Sequence, residues 1–143
     1  MTQSAANQLV AEAKSSVIDF ETAATKITTE RIAAALLHIA ASENVRVIEA
    51  LASAIVNALR SGDEAAHPFI YGRHRLLRYP SMITDDESPK TAAFKRIARR
   101  AFSETLTDPT LGATAFHHIE STPAWSKTLL PIAVFGSFLF YRV

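Results

Sequence analysis

The chain has 143 residues, the size of one ordinary domain and enough for a single hydrophobic core. Apolar residues make up 48% and charged residues 20%, which excludes a disordered chain, and the absence of cysteine excludes disulfide staples, thiolate metal sites and cysteine nucleophiles. A formal net charge of +1 lacks the Lys and Arg excess of a dedicated nucleic-acid binder.

The first residues, Met1-Thr2-Gln3-Ser4-Ala5-Ala6-Asn7, form neither the basic nor the apolar region of a signal peptide. Residues 1–27 carry Leu9, Ala13, Val17 and Phe20 at three-to-four spacing, the pattern of a loosely packed leader helix. Residues 28–143 then read as a single domain. Thr28 is placed to cap a helix whose stripe is Ile32, Leu36, Ile39 and Ala40 and which ends near Ala41. Ser42 is placed to cap the next, with Ile48, Ala52, Ile55 and Leu59 as its apolar stripe and Ser61-Gly62 as its stop.

Between Asp63 and Lys90 the periodicity disappears, and His67-Pro68, Tyr79-Pro80 and Asp85-Asp86-Glu87-Ser88-Pro89 predict a long loop, more often functional than accidental. Helical spacing returns over Thr91–Glu104, with Phe94, Ile97, Ala98 and Ala101 on one side and Lys95, Arg96, Arg99 and Arg100 on the other. Beyond Asp108-Pro109 the pattern turns to strands. Gly112–Ile119 is one, and Ile132–Phe135 with Phe138–Tyr141 make a hairpin whose Gly136-Ser137 suits a type II′ turn. Helices followed by a small antiparallel sheet define an α+β domain. The longest apolar run, Leu129–Tyr141, is broken by Pro131 and Gly136 and is shorter than the ~20 residues of a membrane helix. No membrane span is expected, and the chain is placed in the cytoplasm unless another route exports it.

Two segments carry a resemblance. Ala33–Arg60 includes Val45-Arg46-Val47-Ile48-Glu49-Ala50-Leu51-Ala52-Ser53-Ala54-Ile55-Val56-Asn57. Thr91–Arg142 includes Asp108-Pro109-Thr110, Gly112-Ala113-Thr114, His117, Pro123-Ala124-Trp125 and Phe140-Tyr141-Arg142. In order and distance these motifs resemble the SleB-type cell-wall hydrolases, which cleave peptidoglycan glycan strands. The resemblance covers somewhat more than half the chain, the second segment being the more specific. It implies a fold of lysozyme-like general character, lytic-transglycosylase-like cleavage of a glycosidic bond, peptidoglycan as partner, no nucleic acid and no cofactor.

It also implies a cleft lined by Asn57, His117, Trp125 and Tyr141. At the position of the family's general acid, late in the first helix, stands Ile39. Ala58 replaces an Arg, Leu111-Gly112 replaces a double glycine, and His67–Arg75 replaces an aromatic, cysteine-bearing patch. Such chemistry needs a carboxyl able to donate a proton to the leaving oxygen. Glu43, one turn beyond Ile39, is the nearest carboxylate and the choice for the acid. In the first turn of a helix capped by Ser42 it would be held ionised by the helix dipole. Glu49 lies off the apolar stripe, and Asp108 before proline suits a local turn. A descendant that binds glycan or a protein partner without cleaving it is the alternative.

Each of these residues also has an ordinary structural role: His117 as a strand histidine, Trp125 and the terminal aromatics as core. His117 and His118 point to opposite faces of a strand and, with no His-x-x-x-His spacing elsewhere, predict no metal site. Arg73, Arg75, Arg78, Lys95, Arg96, Arg99 and Arg100 read first as a solvated face paired with Asp85, Asp86 and Glu87; they also suit the carboxylates of a wall polymer or, in a third reading as a nucleic-acid-binding accessory protein, a phosphate-rich polymer.

Overall fold

A computed structural model describes residues 28–61 and 88–143. The leader helix expected over 1–27 lies outside the described residues, as does the loop over 62–87 with Arg73, Arg75 and Arg78. The described chain is three helices followed by a three-stranded antiparallel sheet, an α+β architecture. Helix α1 covers 28–40, α2 is Val45–Ser61 and α3 is Pro89–Phe102. Strands β1 (Ala115–His118), β2 (Ala133–Phe135) and β3 (Phe138–Tyr141) follow, with a 3-10 turn at Ala124–Ser126.

The helix starts differ from expectation for local reasons. Residue 28 is already helical, so Thr28 is not the N-cap of α1. The cap of α2 is Asn44 rather than Ser42: its Oδ1 accepts from the Val47 amide at 3.1 Å. Glu43 therefore sits in the turn between α1 and α2, outside the first turn of α2. Helix α3 begins at Pro89, two residues earlier than the apolar periodicity suggested. Ser88 Oγ accepts from the Thr91 amide at 3.2 Å, and proline at the first helical position lacks only an N–H that has no helical partner. Its end is a Schellman closure in which Glu104 takes a left-handed φ of 64°, with Thr105 N donating to Arg100 O and Glu104 N to Ala101 O.

Helix α2 is the centre of the fold. One apolar stripe was expected, yet Val47, Ile48, Ala50, Leu51, Ala52, Ser53, Ala54, Ile55, Val56 and Ala58 are all buried. A helix apolar nearly all round must have neighbours nearly all round. α3 packs on it through Phe94, Ile97, Ala98 and Ala101, and the sheet through Phe116, Phe138 and Phe140, while Ile32 and Leu36 of α1 join the same core. Alanines on α2 keep these neighbours close.

The sheet order is β1-β3-β2, with β3 in the middle. Phe116 faces Phe140 and His117 faces Leu139 across β1 and β3, and Val134 faces Leu139 across β2 and β3. Strand alternation then divides the sheet. Phe116, Phe138 and Phe140 look into the core, whereas Ala115, His117, Val134, Leu139 and Tyr141 share the outer face. The expected hairpin forms around Gly136-Ser137. Only Gly136 of the two has a positive φ, 54°, as a type II′ turn requires.

Candidate functional site

His117, Trp125 and Tyr141 meet on the outer face of the sheet. The His117 ring stacks on Tyr141 with centroids 5.4 Å apart, and Trp125 stands edge-on to both, at 5.9 and 5.2 Å. Hydrogen bonds fix the imidazole. Its Nδ1 lies 2.8 Å from the His118 carbonyl, which can only accept, so Nδ1 carries the proton. In the neutral ring Nε2 then accepts from the Tyr141 hydroxyl, also at 2.8 Å. Burial pushes the Tyr141 phenol above its ordinary value of 10, and the neighbouring Ser126 hydroxyl opposes that shift.

Ser126 and Trp125 belong to the 3-10 turn, which Pro123 opens in extended conformation. The turn lays Trp125 over β1 and β3. Trp125 Nε1 is buried without a hydrogen-bond partner, the only such side-chain atom among the described residues. An orphaned buried donor costs about 1–3 kcal/mol, so packing alone is a poor account of the ring's position. Tyr141 and Ala115 are buried beneath this cluster, packed with Ala58 of α2, whereas Val134 on the same sheet face is 60% exposed.

Asn57 stands beside Ala58, which packs on Tyr141, but its own amide bonds go elsewhere. Its Nδ2 donates to Asp108 Oδ2 and to the Ala113 carbonyl, each at 2.9 Å. The Asp108 carboxylate also accepts from Thr110 N at 2.8 Å, Thr110 Oγ1 at 2.6 Å and Gly112 N at 3.0 Å. Burial pushes that carboxyl up, but the bonds from Thr110, Asn57 and Gly112 outweigh it and hold Asp108 below its usual 3.8. The Arg142 guanidinium closes the same turn on the Leu111 carbonyl. Asn57, the Asp-Pro-Thr turn and the closing Arg, far apart in sequence, therefore form one hydrogen-bonded clamp. Beside it, between α2 and α3, lies a cleft of about 240 Å³ rimmed by Ser53, Asn57, Arg60, Glu104 and Asp108.

Glu43 lies at the other end of α2. Thirteen residues of helix separate Asn44 from Asn57, about 20 Å along the axis, so Glu43 and Asn57 do not share a site. Glu43 meets the hairpin instead: a Cβ built on Gly136 would fall 2.8 Å from Glu43 Oε2 and from Val47 Cγ2. The carboxylate is thus seated where the helical layer touches the sheet. Ile39 packs, partly buried, against the core, and Glu49 is half-buried.

The contact between Glu43 and Gly136 was missed from sequence, because residues ninety-three apart carry no local signal for it. Placing the cap at Ser42 rather than Asn44 hid it further. Asp85, Asp86 and Glu87, the partners expected for the basic face of α3, lie outside the described residues. Among the described residues none of that helix's five cations, Lys90, Lys95, Arg96, Arg99 and Arg100, has a carboxylate within ion-pair distance, and the one ion pair joins Arg60 to Glu104 at 3.0 Å. Among the described residues no helix is long and apolar enough to cross a membrane, and no three His, Asp or Glu side chains group as for a metal.

Fold and site together define an α+β domain with an aromatic outer sheet face and a carboxylate at the helix–sheet junction. No family model, curated protein or solved structure matches the chain.

Proposed function

We propose that this chain is a divergent SleB-type cell-wall hydrolase domain acting on peptidoglycan glycan strands. The observation that carries the reading is the convergence of His117, Trp125 and Tyr141, three of the four cleft residues implied by the resemblance, on one sheet face. The half-buried rings of His117 and Trp125 would offer an apolar face to a sugar ring above the buried Tyr141, and Val134 and Leu139 of the same sheet face extend that platform.

Glu43 is the acid of this reading. Gly136, against which it sits, belongs to the turn that opens β3, three residues before Leu139, the cross-strand partner of His117. A glycan stacked on the aromatic cluster would have to pass the hairpin tip to meet that carboxyl. Glu43 would donate its proton to the glycosidic oxygen as the bond from that oxygen to the anomeric carbon breaks, and the carboxylate so formed would take the proton of the sugar hydroxyl that closes on that carbon, the lytic-transglycosylase-like outcome. Incubation with purified peptidoglycan should release anhydro-muramic products from the wild type and none from Glu43→Gln. No release at any pH would overturn catalysis.

A second reading, a descendant that binds the glycan without cleaving it, is favoured by Ile39 at the family's acid position and by the engagement of both Asn57 donor bonds in the Asp108 clamp. Retention of the chain on peptidoglycan without turnover would select it.

A further inference from the structure

We propose that the outer face of α3 binds the carboxylates of peptidoglycan stem peptides, giving the domain a preference for glycan whose stem carboxylates are free. The inference rests on the peptidoglycan reading above and adds a second contact surface to it.

Helix α3 carries Lys90, Lys95, Arg96, Arg99 and Arg100 and no acidic residue. At 100° per residue, Lys95, Arg99, Arg96 and Arg100 fill one arc of about 140° opposite the buried Phe94, Ile97, Ala98 and Ala101. Lys95 with Arg99 and Arg96 with Arg100 stand at i,i+4 spacing, where like charges repel. Among the described residues no ion pair relieves them. The whole chain is nearly neutral, at +1, so five cations on fourteen residues are a segregation of charge rather than a share of a general excess. Such an arrangement weakens the isolated helix and favours an anionic partner.

The chemistry of the face narrows that partner. Arginine predominates, and its planar fork matches a carboxylate or a phosphate through two hydrogen bonds. Phe94 is buried and Phe102 half-buried, so α3 offers no exposed ring for base stacking. Its apolar side is committed to the core, which removes the surface a helix needs to enter a lipid interface. Of the anions such a face can take, the carboxylates of stem peptides are the ones carried on the glycan that the sheet face would hold. Both α3 and the sheet pack on α2, so the two surfaces flank one helix.

The test compares the full chain with a Lys95→Gln, Arg96→Gln, Arg99→Gln, Arg100→Gln variant in sedimentation with insoluble peptidoglycan and with the same peptidoglycan after carbodiimide amidation of its stem carboxylates. All four side chains lie off the buried face, and thermal melts would verify the fold. The wild type should prefer the untreated material by about tenfold, and that preference should fade between roughly 50 and 500 mM salt as screening grows. The variant should bind both materials alike and match the wild type on the amidated material.

Equal wild-type binding to both materials, or an unaltered preference in the variant, would overturn the inference while leaving glycan recognition standing. Binding to neither would remove the peptidoglycan reading and this inference with it. Tighter binding to duplex DNA or to anionic phosphatidylglycerol vesicles, lost in the variant, would assign the face to phosphate and overturn the stem-peptide partner.

Discussion

Leu111 holds a backbone conformation that suits glycine. Its φ of 59° is left-handed and its side chain is 72% exposed, so no packing compensates. A non-glycine residue there costs about 1–2 kcal/mol, and glycine's greater freedom in the unfolded chain returns roughly half of that. Leu111→Gly is therefore expected to raise stability by up to about 1 kcal/mol, read as a shift in urea midpoint at constant slope. Its neighbour Gly112, at φ 90°, has the Arg142 guanidinium 3.2 Å from any added Cβ and has no such latitude. Asp108 makes a pH prediction. Its folded value is depressed, so its contribution is full above the unfolded value near 3.8 and is lost as pH falls through the folded one. Urea midpoints should fall on acidification below about pH 4 more steeply for the wild type than for Asp108→Asn, which lacks that titration. Equal slopes would show that the clamp does not hold the carboxylate.

The hairpin is the element on which fold and proposed chemistry meet. Phe135 and Phe138 pair across a two-residue loop, and Gly136 supplies both the positive φ and the missing side chain. An alanine there would strain the turn and press on Glu43 and on the buried Val47, both 2.8 Å from its Cβ. Gly136→Ala should cost about 1–3 kcal/mol in denaturant unfolding. If Glu43 is the acid, muropeptide release should fall further than the lost stability explains. The hairpin itself was legible in sequence because alternation and Gly-Ser turn chemistry are local signals. The cap of α2 was not: Ser42 and Asn44 are both good caps, and only the observed bond from Val47 to Asn44 decides between them.

At the scale of the whole molecule, Asn57 ties the central helix to the chain entering β1. Both of its donor bonds reach more than fifty residues along the sequence. Asn57→Ala would leave the Ala113 carbonyl and one Asp108 oxygen short of a donor, a loss of about 1–3 kcal/mol. Peptidoglycan retention by the folded variant should match the wild type, since both amide bonds serve the clamp and neither reaches His117, Trp125 or Tyr141. Reduced retention at full stability would return Asn57 to the cleft. A sequence motif carries no label that separates a residue holding a turn from a residue touching substrate; the partners of its amide do.

The order of helices and strands, the II′ hairpin and the split of the strands into two faces followed from sequence alone, because each depends on neighbours within a few residues. The amino acids around Asp108 likewise announced a turn. Tertiary structure decided the rest. It buried α2 almost all round, gathered His117, Trp125 and Tyr141, spent Asn57 on the Asp108 clamp and set Glu43 against Gly136. Each of these depends on groups brought together from distant positions, and a contact made only by packing leaves no period in the chain that makes it.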